Sequence, residues 1–212
     1  MENVLVAGAT GATGQKVINL LRKSQYFEPV AMVREKTQKP QFEDRNIKTV
    51  LGDLEKTVDH ILEDIDKVVF AAGSKGKKVK EVDQNGAIKM IDASKKHNVK
   101  RFVMLSSMGA DNPEHIDSLQ DYLLAKQKAD EYLKESDIKY TIVRPGTLNT
   151  DKAKNHIELG RKLENNGEIS RADVAQVLVR SLHDSSPYNT TFEILQGDTL
   201  ISKAIDNFKD QL

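Results

Sequence analysis

Cysteine is absent from the 212 residues, so neither a disulfide framework nor a thiolate metal site is available. Tryptophan is absent as well, and five Tyr and six Phe supply too little aromatic surface for a platform that stacks single-stranded nucleic acid. Net charge is missing too. The 32 Lys and Arg offset the 32 Asp and Glu, which leaves no electrostatic pull toward nucleic acid or an anionic membrane. No apolar run approaches membrane-spanning length. The opening residues MENVLVAG run straight into a strand-like pattern, so no signal or transit peptide is expected. His60, His97, His115, His156 and His183 lack the paired spacing that metal ligation uses, and no metal is expected. These absences lead to the expectation of a cytoplasmic chain with no nucleic acid and no membrane as partner; a small-molecule substrate and a monomer or weak homodimer are the accompanying expectations.

What is present is alternation. Short β-branched runs at Val4–Ala7, Glu28–Val33, Ile47–Leu51, Lys67–Ala71, Arg101–Leu105 and Tyr140–Val143 predict strands. Helical patterns at Gln15–Lys23, Leu54–Asp64, Val79–His97 and Ser118–Ser136 fall between them, and Glu35–Asn46 reads as a polar connection. Strands alternating with helices predict βαβ units, hence an α/β fold of Rossmann type: a doubly wound, mainly parallel sheet with helices on both faces. The last third is less regular. Ile157–Leu159 reads as a short strand, Ser170–Ser185 as a helix capped by Ser170 with Asp173 at its positive end, Thr190–Leu195 as a strand and Leu200–Phe208 as a closing helix. Nothing marks a second domain, so residues 1–212 are expected to form one, with 146–212 as the substrate-side rim.

The stretch VLVAGATGATG follows the arrangement strand, glycine turn, helix. Gly8, Gly11 and Gly14 recur every third residue, a departure from the usual G-x-G-x-x-G spacing. Such a turn lets backbone N–H groups and a helix N-terminus hold a phosphate, and the small Ala9, Thr10, Ala12 and Thr13 leave the backbone accessible. It is also compatible with a tight turn that binds nothing. About twenty residues further on, an acid binds a ribose 2′-hydroxyl and a basic residue accommodates a 2′-phosphate. Arg34 stands there, with Glu35 beside it, so NADP(H) is preferred and NAD(H) is the alternative. After strand three, Asp53 either accepts from an adenine amino group or caps a helix beginning at Leu54. Ala71, Ala72 and Gly73 end strand four with side chains small enough for a ligand to lie across them. The cluster Lys75-Gly76-Lys77-Lys78-Val79-Lys80 reads as a mobile, solvated loop, with phosphate groups of a substrate as its alternative contact.

Strand five ends in Ser106 and Ser107. Tyr122 and Lys126 are four apart on the next helical pattern, hence on one face. A tyrosine serves as general acid when an ammonium pulls its pKa toward neutrality, and a serine hydroxyl holds a carbonyl oxygen. A Tyr-x-x-x-Lys pair is also common on exposed helices, so its position after strand five carries the argument.

Taken together, Gly8-x-x-Gly11-x-x-Gly14, Arg34, Gly52-Asp53-Leu54, FAAG at 70–73, FVMLSS at 102–107, Tyr122-x-x-x-Lys126, TIVRPG at 141–146 and ISRADVA at 169–175 resemble the atypical short-chain dehydrogenases/reductases. The resemblance covers essentially the whole chain and is greatest to the small NAD(P)H-binding branch near sugar-nucleotide epimerases, NmrA-like proteins and flavin/biliverdin reductases. It implies that Gly8, Thr10, Gly11, Ala12, Thr13 and Gly14 cradle a pyrophosphate, and that Arg34 binds the 2′-phosphate. It places Asp53 and Leu54 at the adenine and Ala71, Ala72 and Gly73 along the ribose. Ser107, Tyr122 and Lys126 become the catalytic set, with Tyr122 and Lys126 also at the nicotinamide ribose and Pro145, Gly146 and Thr147 beside the nicotinamide. Asp83 stands where the best-known branches carry an Asn. The implied activity is hydride transfer between NADP(H) and a small carbonyl-type substrate. Epimerase or dehydratase chemistry on a nucleotide sugar, and redox sensing without turnover, are the alternatives. Met108–His115 and Leu148–His156 are expected to shape the substrate pocket.

Overall fold

The computed structural model describes residues 1–115 and 119–210; Ser118, the expected start of the helix after strand five, lies outside them. In chain order, β1 (Glu2–Ala7) leads through α1 (Ala12–Leu21) to β2 (Phe27–Val33), α2 (Pro40–Glu43), β3 (Lys48–Leu51) and β4 (Lys67–Phe70). Next come a π-helical stretch Val79–Gln84, α3 (Asn85–Lys96), β5 (Arg101–Leu105), α4 (Gln120–Glu135) and β6 (Tyr140–Pro145). The chain closes with β7 (Thr147–Asn149), β8 (His156–Gly160), β9 (Glu168–Ser170), α5 (Arg171–Arg180), β10 (Thr190–Gln196), β11 (Thr199–Leu200) and α6 (Ile201–Lys209).

Nine strands form one sheet in the order β11-β8-β10-β6-β5-β4-β1-β2-β3. From β3 to β10 every neighbour is parallel, and β8 and β11 add an antiparallel edge. The fold is therefore the expected doubly wound α/β sheet. β1 shows why both faces are covered. Val4 and Val6 pack with Val17, Ile18 and Leu21 of α1 and with Val174, Val177 and Leu178 of α5. Leu5 and Ala7 point the other way, to Met90 and Ile91 of α3 and Leu133 of α4. A strand apolar on both sides belongs in the middle of a parallel sheet, and side-chain burial there contributes on the order of 1.5–3 kcal/mol per large residue.

Several expected elements differ. Leu54–Asp64 is not an α-helix; only a 3-10 turn, Asp59–Leu62, forms there. The polar connection 35–46 holds a 3-10 turn at Lys36–Gln38 and the single-turn α2, which begins with Pro40 and buries Phe42. The pattern from Val79 starts as π-helix and becomes α-helical only at Asn85. α5 ends at Arg180, five residues before the expected Ser185. Its cap is as expected: Ser170 Oγ accepts the Asp173 N–H at 3.0 Å. Buried Asp173 does more than face a helix end, because its carboxylate also accepts the N–H groups of Lys154 and Asn155 at 3.1 and 2.7 Å. This fixes the chain where it enters β8.

Candidate active site

The first turn after β1 is built by close backbone contact. Gly8 adopts φ +86°, and a Cβ there would lie 2.6 Å from the Ala71 carbonyl oxygen. A Cβ on Gly14 would lie 2.0 Å from the Gly8 oxygen. The first and third glycines thus bring α1 against β1 and β1 against the end of β4. Gly11 precedes α1 with no side-chain cap, and the first turn of the helix holds no acid. The N–H groups of that turn are left for an anion, which the helix dipole favours. Thr10, Gly8 and Gly11 line a cavity of 300 Å³ together with Arg34, Asp53, Leu54, Ala71, Ala72 and Gly73. Ala12, Thr13 and Gly14 are not on its wall; Thr13 and Gly14 are buried in α1.

Arg34 leaves β2 with its side chain 59% exposed, paired only loosely with Glu35 at 3.8 Å. Its guanidinium is therefore available to a ligand. The backbone beneath it is fixed by Gln38, whose Oε1 accepts the N–H groups of both Arg34 and Glu35 at 2.9 and 3.1 Å. Gln38 also lines the cavity and is absent from the sequence reading, although its spacing from Glu35 is that of a capping box. Asp53 caps no α-helix. Its Oδ1 accepts the Glu55 N–H at 3.0 Å, a local turn. Asp83 is 1% exposed, and its Oδ2 accepts the Ser74 N–H at 3.0 Å, while Oδ1 has no hydrogen-bond partner among the described residues. Its position in the fold is under the chain that leaves β4.

A second cavity, of 630 Å³, opens past the ends of β5 and β6. Ser107, Tyr122, Pro145, Gly146 and Thr147 line it, joined by Met108, Gly109 and Leu148 from the expected loops. Residues 162–164 and 166–167 and Glu193 of β10 also line it, and the sequence reading contains none of them. Their loop carries no motif, and β10 comes beside β6 only through tertiary pairing. Lys126 is buried behind this wall. Its Nζ donates to the Leu105 carbonyl at 3.1 Å and lies 5.6 Å from the centre of the Tyr122 ring. Ser107 Oγ donates to the Met108 carbonyl at 3.1 Å. The two cavities occupy one edge of the sheet, at the carboxyl ends of the parallel strands. The strand order reverses between β1 and β4, and ligands in open α/β folds sit at such a switch point.

A chain of charges underlies the second cavity. Asp130, one turn beyond Lys126, accepts from Ser106 Oγ, Arg144 Nε and Arg144 Nη2 on a single oxygen, at 2.9, 3.0 and 2.9 Å. Burial pushes the Asp130 carboxyl above its ordinary value, although Arg144, Ser106 and Lys126 pull it down. Arg144 also stands 3.7 Å from Asp111, which Lys162 bridges at 2.7 Å. Burial opposes ionisation of Asp111, but the hydrogen bond from Lys162 and the charges of Lys162 and Arg144 outweigh it and hold its carboxyl low. Lys162 is 3.4 Å from Glu193, whose other oxygen accepts the Leu163 N–H at 2.8 Å. The chain ties α4, the segment after β5 and the loop after β8 into one wall.

A family profile described as NAD(P)H-binding matches residues 8–185. Among related proteins, the Bacillus subtilis "Uncharacterized sugar epimerase YhfK" is 35% identical over 210 residues, covering 95% of this chain and 98% of that one. Sanguinarine reductase of Eschscholzia californica is 26% identical over 258 residues, covering 97% and 93%. Among solved structures, one from Bacillus halodurans described as a candidate NAD-dependent epimerase/dehydratase superimposes with a TM-score of 0.93 at 36% identity over the whole of both chains.

Proposed function

The chain belongs to the NAD(P)H-binding family of atypical short-chain dehydrogenases/reductases, and from that premise we propose that it is an NADP(H)-dependent reductase of a small carbonyl-type substrate. The observation that carries the reading is the pair of cavities on one sheet edge. One is walled by the glycine turn and Arg34, the other by Ser107, Tyr122 and the segment Pro145–Thr147. The uncapped start of α1 would hold a dinucleotide's phosphates, and Ser107 and Tyr122 would stand at its far end. The residues fit the cofactor: an added Cβ at Gly8 or Gly14 would close the turn, and the exposed Arg34 guanidinium has only the 3.8 Å contact with Glu35 among the described residues.

Bound NADPH supplies a hydride. The chain supplies the rest. Ser107 Oγ turns from the Met108 carbonyl to donate to the substrate oxygen. Tyr122 delivers the proton to that oxygen, and the Lys126 ammonium behind its ring stabilises the phenolate left behind. Met108, Leu148 and Leu163 exclude water from the reacting carbon. Epimerase or dehydratase chemistry, in which hydride leaves and returns, is the second reading; the names of the two Bacillus relatives favour it.

The test is a panel of carbonyl substrates followed by NADPH absorbance, alongside Tyr122→Phe and Arg34→Ala. Net NADPH consumption that is lost in Tyr122→Phe, with NADPH binding retained, supports the reductase. Turnover of a sugar nucleotide without net consumption supports the epimerase. Full activity in Tyr122→Phe removes it as the acid, and equal weakening of NADPH and NADH by Arg34→Ala removes the 2′-phosphate assignment.

A further inference from the structure

Six non-glycine residues among those described have positive φ, and five of them are Asn or Asp, the types that tolerate this region. The sixth is Lys75, at φ +55°. It is followed by Gly76 at φ +80°, and the Lys77 N–H closes the turn onto the Ser74 carbonyl at 3.3 Å. Two central residues with positive φ make a turn that favours Asn-Gly. A lysine here carries backbone strain that an asparagine would relieve.

The turn is also held from both sides. The buried Asp83 carboxylate accepts the Ser74 N–H. Lys78 Nζ reaches both oxygens of Glu55, at 2.8 and 2.7 Å, and so ties the turn to the loop after β3. Of the lysines in this basic segment, Lys78 is therefore paired rather than solvated, and Val79 and Lys80 belong to the π-helix. Lys75 makes no hydrogen bond or ion pair among the described residues, and it lines the same cavity as Arg34, Gln38, Asp53 and Glu55. One cation thus comes to this cavity from the end of β2 and another from beyond β4.

We propose that Lys75 is the second cationic ligand of the cofactor's 2′-phosphate, gripping it against Arg34. The proposal rests on the NADP(H) reading above. A phosphate monoester carries between one and two negative charges near neutral pH, and Arg34 already has Glu35 beside it, so one guanidinium leaves the dianion under-neutralised. Strained residues cluster at ligand clamps, and this one stands on the wall of the Arg34 cavity.

The experiment titrates full-length wild type, Lys75→Asn, Lys75→Met and Arg34→Ala with NADPH and with NADH by nucleotide fluorescence, and records thermal unfolding without nucleotide. Lys75→Asn is expected to weaken NADPH roughly tenfold, the loss of one exposed charge-assisted hydrogen bond. NADH should be unchanged, and the unfolding midpoint unchanged or higher, because Asn accepts the left-handed backbone. Lys75→Met should weaken NADPH as much while keeping the wild-type midpoint, because it carries the same left-handed strain as Lys. Equal weakening of both nucleotides, or of neither, overturns the assignment. A wild type without NADPH preference overturns the cofactor reading itself. A wild type whose preference is lost in Arg34→Ala and kept in Lys75→Asn overturns Lys75 alone.

Discussion

Removing the charge of Asp130 should cost the fold more than any other single isosteric change beneath the active site. Asp130 is fully buried, and one of its oxygens takes three hydrogen bonds, two of them from Arg144. Asp130→Asn leaves the Arg144 guanidinium, 8% exposed, with only Asp111 at 3.7 Å among the described residues. Breaking a buried pair from one side costs roughly 3–5 kcal/mol, a large part of a total stability of about 5–15 kcal/mol. With about 2–4 °C per kcal/mol for a chain of this size, the unfolding midpoint should fall by about 6–20 °C. Replacing both partners should behave differently. The Asp130 carboxyl is held above its ordinary value by burial, so desolvation outweighs the attraction of Arg144, and Asp130→Leu with Arg144→Met should lie within about 1.5 kcal/mol of wild type. The sign with pH is also defined. A carboxyl raised on folding contributes stability below its unfolded value of 3.8, lost as pH rises through the folded value. The stability of wild type relative to the apolar double variant should therefore increase toward acid pH. Urea unfolding of wild type, Asp130→Asn, Asp130→Leu, Arg144→Met and the double variant between pH 4 and 8 tests this. An Asp130→Asn loss below about 1 kcal/mol, or a double variant as unstable as the two singles summed, refutes the reasoning.

Gly14→Ala should destabilise the fold and abolish nucleotide binding, since its Cβ meets Gly8 backbone at 2.0 Å; an unconstrained helix site would instead be stabilised by about 0.5–1 kcal/mol, and urea midpoints distinguish the two. Ser170→Ala should cost about 0.5–2 kcal/mol through the lost cap, and faster amide exchange at Lys154 and Asn155 should accompany it because Asp173 loses the Ser170 hydroxyl; unchanged exchange refutes the link. Asp66 and Asp184 have carboxyls held low, first by hydrogen bonds from Lys100 and Lys67 respectively. Carboxyls lowered on folding contribute stability above the unfolded value of 3.8 that is lost as pH falls through the folded one. Asp66→Asn should thus be less stable than wild type at pH 7, with the gap closing in strong acid. A gap that is constant with pH rules the mechanism out.

The parallel sheet was legible in the sequence because each of its central strands is a run of residues apolar on both faces, and such runs fit few other environments. The glycine turn was legible for a different reason: close backbone approach forbids a Cβ, so Gly8 and Gly14 report a local constraint in their identity. The Ser170 cap and its helix were readable on the same local grounds. The short α-helix at Leu54–Asp64 failed because its apolar spacing arises from packing under α3, where Val58, Ile61 and Leu62 are buried from a loop and a 3-10 turn.

The residues by themselves determined the sheet, the close-packed glycine turn and the pairing of Tyr122 with Lys126 on one helix face. Tertiary structure decided what stands opposite them. Gln38 reaches back to fix Arg34, and Lys75 comes to the Arg34 cavity from a turn that read as solvated loop. Lys162 and Glu193 close the second cavity from segments far along the chain. Periodicity and turn chemistry act over a few residues and are written into neighbouring positions. Which charge meets which across a sheet edge depends on strand order and on where loops are anchored, and no short stretch of sequence records that.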